Sequence, residues 1–272
     1  MGSTDNLINE IVSSGGWLLW LIHQPTWLIG FLIVAGGALF SALCVLLVNN
    51  YFTSARLVEN NSVASFKFVF MAQVFAGLLA FLMVEAGTRY SNAETYVNNE
   101  AAAWRALSRL TEEMPKQEAD IFRAKLKIYL DAVIRTEWKA METGEESPLA
   151  VAAFEETLNA YFSIDPDTDR QQSLLSLGNQ LTAMAVEART SRLNNNVSHD
   201  IYNLTWFTMF ALVSITVAFS AFFGTNFMRS QLMMGTILAI GLFSNVFLTF
   251  LLANPFAGEN AVESRPFEEI LK

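Results

Sequence analysis

Four long apolar runs, residues 27–48, 66–84, 206–224 and 232–252, frame a single acidic stretch, two before it and two after. A helix needs about 20 apolar residues to cross a hydrocarbon core of roughly 30 Å, and each run is close to that length. In lipid, backbone polar groups are satisfied only within helices or closed barrels. Barrel strands alternate apolar and polar residues and are about half as long, so continuous apolarity selects helices. A water-soluble core could hardly hide four such runs in 272 residues with a mean hydropathy of +0.33. The expected fold is an all-α integral membrane protein: four transmembrane helices, with an extramembrane helical bundle inserted between the second and third spans.

The chain divides accordingly. Residues 1–26 form an N-terminal interfacial segment, 27–84 the first transmembrane pair, 85–205 a soluble helical module, 206–252 the second pair and 253–272 a C-terminal tail. The first 27 residues contain no Lys or Arg, so a basic signal-peptide head is missing and the first run is expected to stay as a span. Four crossings put both termini and the module on one side of the bilayer, with loops 49–65 and 225–231 on the other. The basic residues that should orient the chain are nearly balanced: Arg56, Lys67 and Arg229 on the loop side, Arg89, Arg189 and Arg192 on the module side.

Charge and composition remove several function classes. A net charge of −9 speaks against a nucleic-acid partner. The single cysteine, Cys44, lies inside the first run and excludes an intrachain disulfide framework or a cysteine zinc site. Two histidines, His23 and His199, are far apart in sequence. No P-loop, dinucleotide fingerprint or zinc-protease motif is present, and no serine, cysteine or histidine arrangement offers a nucleophile with its base. Neither catalytic residues, nor a metal site, nor a cofactor are expected.

Local patterns place the elements. Trp17, Trp20 and Trp27 surround His23 and Pro25, and tryptophans favour the headgroup layer; they are read as interfacial anchors, with a short helix over 17–23 separated from the first span by Pro25. Gly30, Ala35, Gly36, Gly37 and Ala38 in the first span mark a helix-packing surface. On helical spacing, Phe66, Phe70, Gln73, Gly77 and Ala80 share one face of the second span, with Phe68, Phe75, Leu79 and Leu82 on the other. An amide in mid-membrane is costly without a partner or water, so Gln73 either bonds a neighbouring helix or lines an aqueous path. Asn245 is the second intramembrane polar residue, accompanied by Ser244 and Thr249, and is read as an interhelical hydrogen-bonding group.

No proline interrupts the chain between Phe66 and Met114, so the second span can continue through 91–113 as one helix of roughly 70 Å, with Gly87 its weak point. Ala101, Trp104, Leu107 and Leu110 make its apolar stripe there. Pro115 opens a helix over 116–141 with Ile121, Leu126, Ile128, Leu130, Val133 and Ile134 as core candidates. Ser147-Pro148 reads as N-cap and first helical residue, and Thr168 with Gln171 has capping-box spacing. Asp165, Asp167 and Asp169 resemble the start of a calcium loop, but its sixth position is Arg170 and its twelfth Ser176, so a capped turn is the better reading. Glu94, Glu100, Glu137 and Arg189 are read as ion-paired between long helices. The module holds 12 basic and 19 acidic residues, a net of −7.

Three stretches carry a family resemblance: Ala55-Arg-Leu-Val-Glu-Asn-Asn61 before the second span; Asn99-Glu-Ala-Ala-Ala-Trp104 with Tyr129 through Trp138; and Asn254-Pro-Phe-Ala-Gly258 followed by Arg265-Pro-Phe267. This layout resembles the bestrophin-like family of bacterial membrane proteins from Asn49 to Phe267. The resemblance implies similarity to bestrophins, which are pentameric channels with four spans per subunit, a cytosolic helical region and a second span that lines the pore. By that likeness Phe66, Phe70, Gln73, Gly77 and Ala80 would line a path, the module would be cytosolic, and the chain would be a multi-pass inner-membrane protein. The expectation is then a homo-oligomeric ion channel in the lipid bilayer passing inorganic ions, with the acidic module as a vestibule favouring cations. The competing expectation is a non-conducting scaffold or regulatory subunit whose module binds a protein partner.

Overall fold

The computed structural model describes residues 24–196, 199–225 and 227–272. Among these the chain is helical, with no strand. The elements are α1 (Thr26–Tyr51), α2 (Ser54–Glu59), α3 (Asn61–Leu110), α4 (Lys116–Ala132), α5 (Trp138–Met141), α6 (Pro148–Phe162), α7 (Asp169–Asn196), α8 (His199–Ser220), α9 (Met228–Ala253) and α10 (Arg265–Leu271). Among the described residues, three helices are long and apolar enough to cross a membrane, those of α1, α3 and α9. The run at 206–224 ends its helix at Ser220, inside α8, and residues 221–224 turn out of the helix, with Phe223 N–H on Ser220 O at 3.2 Å. Trp17, Trp20 and His23 lie outside the described residues.

The chain forms two compact units. The first holds 24–88 and 199–253. Here α1 packs on α9 through glycines that leave room for rings. A Cβ on Gly30 would stand 2.9 Å from Phe247 Cζ, and one on Gly37 would stand 2.1 Å from Phe243 Cδ2. Ile29, Gly37, Ser41 and Val45 form the buried stripe of α1, facing Gly235 across Ser41. Gly36 is not part of it: it is exposed, with open space around it among the described residues. Trp206 on α8 meets Phe250 on α9 at 5.4 Å between ring centroids.

The second unit holds 89–196 and 254–272. Its core joins α3, α4, α6 and α7 with residues beyond α9: Phe256, Val262 and Phe267 are as buried as Trp104, Phe122 and Tyr161. Ser147 Oγ accepts from Ala150 N–H at 3.4 Å and so starts α6, and Thr168 Oγ1 accepts from Gln171 N–H at 3.2 Å before α7. The Gln171 side chain reaches back one residue further than a simple capping box, to Asp167 N–H at 2.8 Å. Gly87 does not break α3. Two core assignments are corrected. Ile121 and Ile128 are 49% and 54% exposed, because Ala119, Phe122, Leu126, Tyr129, Leu130 and Val133 form the buried face. At about 100° per residue the two isoleucines fall on the opposite side.

Candidate functional site: an open helix face and a buried ion cluster

The membrane part of α3 is the least covered of the apolar helices. Only 6% of its apolar window is buried, against 17% for α1 and 33% for α9. Phe66, Phe70, Gln73, Gly77 and Ala80 span an arc of about 80° and all are exposed, Phe66 at 79% and Phe70 at 70%. The other side is the packed one: Leu79 is buried and Phe68, Phe75 and Leu82 are half-buried. A Cβ on Gly77 meets nothing, and the Gln73 side chain has no hydrogen-bond partner, among the described residues. Asn245 does face its own chain: Nδ2 donates to Met83 Sδ at 3.4 Å, while the buried Oδ1 has no hydrogen-bond partner. Trp27 is 72% exposed.

The start of α3 is held by the turn that follows α8. Asn61 Nδ2 donates to Gly224 O at 2.9 Å, and Gly224 N–H donates to Asn61 Oδ1 at 3.0 Å. The side-chain amide thus pairs with both backbone groups of one residue. Two turns on, Phe68 packs against a pair of touching rings, with Phe219 at 5.9 Å, Phe223 at 5.2 Å and 6.4 Å between those two. Ala221 O accepts from Gln231 Nε2 at 2.9 Å, and Gln231 Oε1 accepts from Asn49 Nδ2 at 3.0 Å.

In the second unit four charges meet out of water. Arg192 on α7 is fully buried, with Nε on Glu100 Oε2 and Nη2 on Glu137 Oε2, each at 2.8 Å. Arg189 Nη2 holds the other oxygen of Glu137, and Tyr129 donates its hydroxyl to Glu100 Oε1. Glu137 reaches the cluster from a wide turn of π-helix over Val133–Glu137 that shifts the register of the helix after α4. Aromatic faces close the site: Trp138 and Phe267 stand 5.2 Å and 5.7 Å from the Arg192 guanidinium, and Phe154 stands 4.8 Å from that of Arg189. Trp138 Nε1 donates to Val262 O at 2.9 Å, and its ring meets Phe256 and Phe267 edge-on. Burial lowers the Arg192 affinity for its proton, but the Glu100 and Glu137 carboxylates outweigh this and hold it above its usual range. Burial first, and then the Glu100 carboxylate, push the Tyr129 phenol well above its usual value. The cluster is neutral overall and enclosed, so its chemistry is that of a joint.

Two of the stretches quoted above meet in the second unit, where Glu100, Tyr129, Glu137, Trp138 and Phe267 line or cap the ion cluster and Trp104 and Phe256 pack on its aromatic rings. The third belongs to the first unit, where Asn61 clasps Gly224. The family model of the bestrophin-like domain matches residues 35–267. The chain belongs to the bestrophin-like family. No curated protein and no solved structure matches it. The match begins inside α1 and ends at Phe267, the last aromatic cap of the ion cluster, so it takes in both sites of this bestrophin-like chain.

Of the ionisable residues singled out from sequence, Glu100, Glu137 and Arg189 come together and Glu94 stays exposed. Arg192, which bridges both carboxylates, was counted only as a basic residue near the membrane. A signal for it exists. Gly178, Thr182, Ala185, Arg189 and Arg192 recur at spacings of four and three, so the small residues that mark the buried face of α7 point directly at both arginines.

Proposed function

We propose that this bestrophin-like protein is the subunit of a homo-oligomeric ion channel that works by conduction and not by catalysis. The chain crosses the inner membrane four times, α8 supplying the third crossing, with both termini and the helical module in the cytoplasm. The open face of α3 lines the axial path. Phe66 and Phe70 form an apolar constriction that gates by dewetting, and Gln73 with Gly77 and Ala80 forms a wider, uncharged stretch. The module is a cytosolic vestibule whose net charge of −7 concentrates cations.

One observation carries this reading: an exposed glutamine without a partner lies in the middle of an apolar helix face. Facing lipid it would cost free energy on the order of kilocalories per mole; facing water, or the same residue of neighbouring subunits, it would not. The test is particle imaging for symmetry, followed by ion flux in liposomes. A closed ring with α3 at its axis, and a Gln73→Ala variant with altered conductance or selectivity, are expected. A monomer, or identical flux in variant and wild type, would refute the assignment of Gln73 to the path.

A second reading has its own observation. The module exposes Ile121 and Ile128 on α4, and Leu177 and Met184 on α7 at 48% and 54%. A non-conducting scaffold that docks a protein partner would use such residues. It would give no flux, and a stable complex lost on Ile121→Asp or Met184→Asp.

A further inference from the structure

We propose that the end of α8 and the turn after it, residues 219–224, set the rotation of the pore-lining helix, with Asn61 and Phe68 as the positioning residues of the gate. This rests on the channel reading above. Phe66 and Phe70 are the constriction; Phe68 lies between them in sequence and about 160° away around the helix. The ring that points inward is therefore the handle for the two that point outward. That handle packs against the touching pair Phe219 and Phe223, one ring nearly parallel at 21° and the other nearly perpendicular at 81°. A turn of α3 about its axis would draw Phe68 away from both rings.

The amide clasp supplies the second fixed point. Asn61 is the first residue of α3, and it binds both backbone groups of Gly224. Gly224 has no room to move against the chain before α3: a Cβ there would stand 2.5 Å from Leu57 Cβ and 2.5 Å from Val58 N. Leu57 is itself buried. One ring grip and one amide pair, about two turns apart, fix both the height and the angle of the α3 start. The same six residues, Phe219 to Gly224, are tied to α9 and α1 through Ala221 O, Gln231 and Asn49. A displacement of this segment would be passed to Phe66 and Phe70 as a rotation.

The test reads the orientation of position 66 directly. In a Cys44→Ala background, which removes the single native cysteine, the thiol of a Phe66→Cys variant is labelled with a charged methanethiosulfonate in liposomes. Asn61→Ala or Phe68→Ala is then added, and basal ion flux is measured on the same variants with Phe66 restored. The labelling rate is expected to change several-fold with either substitution, and basal flux to change in the same order. Asn61→Asp keeps the acceptor for Gly224 N–H and loses the donor, so its effect should be smaller. Leu39→Ala, on the open side of α1 at 72% exposure, should change neither readout. Unchanged labelling in both Asn61→Ala and Phe68→Ala would overturn the proposal. If the wild type carries no flux under any condition, the channel reading falls, and the labelling rates alone decide whether α8 orients Phe66. Where Asn61→Ala does not fold, Asn61→Asp and Phe68→Leu carry the same comparison.

Discussion

Removing the Arg192 guanidinium should be among the most damaging single changes in the second unit, and the size of the loss can be bounded. Arg192→Met keeps a long apolar stem but deletes the bonds to Glu100 and Glu137. Glu137 keeps Arg189, whereas Glu100 is left with the Tyr129 hydroxyl as its hydrogen-bond partner. Breaking a buried pair by removing one partner costs about 3–5 kcal/mol, because a charge stays buried without its counter-ion. The expected loss is therefore about 3–5 kcal/mol.

The assay is pulse proteolysis of the full-length protein in detergent across a urea series, reading cleavage within 89–196. Replacing both members, as in Arg192→Met with Glu100→Gln, should recover most of the loss, since a neutral, filled site has no charge to strand. A variant Arg192→Met within about 0.5 kcal/mol of wild type would refute the view that the cluster is a closed joint.

Two further outcomes follow from the same geometry. Tyr129 holds its proton in the folded state to well above the usual tyrosine value, through burial and the Glu100 carboxylate. Its contribution is therefore whole below about pH 10, where unfolded tyrosine ionises, and is lost as pH rises through the folded value. Tyr129→Phe should remove that alkaline loss while costing about 1.5–3 kcal/mol at neutral pH, measured by the same proteolysis at pH 7 and pH 11. In the membrane unit, Gly37→Ala would drive a methyl into the Phe243 ring, which is itself buried, and should cost about 1–3 kcal/mol. Gly36→Ala meets open space and should stay within about 0.5 kcal/mol; thermal melting in detergent compares the pair.

Much of the architecture was written in periodicity. Apolar runs of membrane length, the absence of proline through α3, and the Ser147-Pro148 start of α6 are local signals, and local physics decides them. The division of α3 into a packed side with Leu79 and an open side with Phe66 and Gln73 is of the same kind, because a 3.6-residue period sorts side chains without knowledge of their partners. Ile121 and Ile128 were misassigned because hydrophobicity alone does not say which of two apolar stripes on α4 is covered. The inner stripe wins through Phe122 and Tyr129, which interlock with Tyr161, Trp104 and Phe154. The clasp of Asn61 on Gly224 spans 163 positions, and nothing local to either residue announces it.

The residues that carry the resemblance divide by role, and the division argues where selectivity must be sought. Glu100, Trp104, Tyr129, Glu137, Trp138, Phe256 and Phe267 are enclosed around a cluster of net zero charge; they shape the module but present nothing to a passing ion. Asn61 is spent on a backbone pair. None of the motif residues lies on the open face of α3. If ions pass along that face, discrimination comes from Phe66, Phe70 and Gln73, none of which carries a charge. An amide presents both a donor and an acceptor, so a ring of Gln73 side chains would tolerate either sign of ion. The preference between signs would then fall to the acidic module, through field strength that salt screens over roughly 8–10 Å. Selectivity measured at low and high ionic strength should therefore differ, with cation preference fading as salt rises. A preference that is independent of salt would place the filter on the α3 face itself.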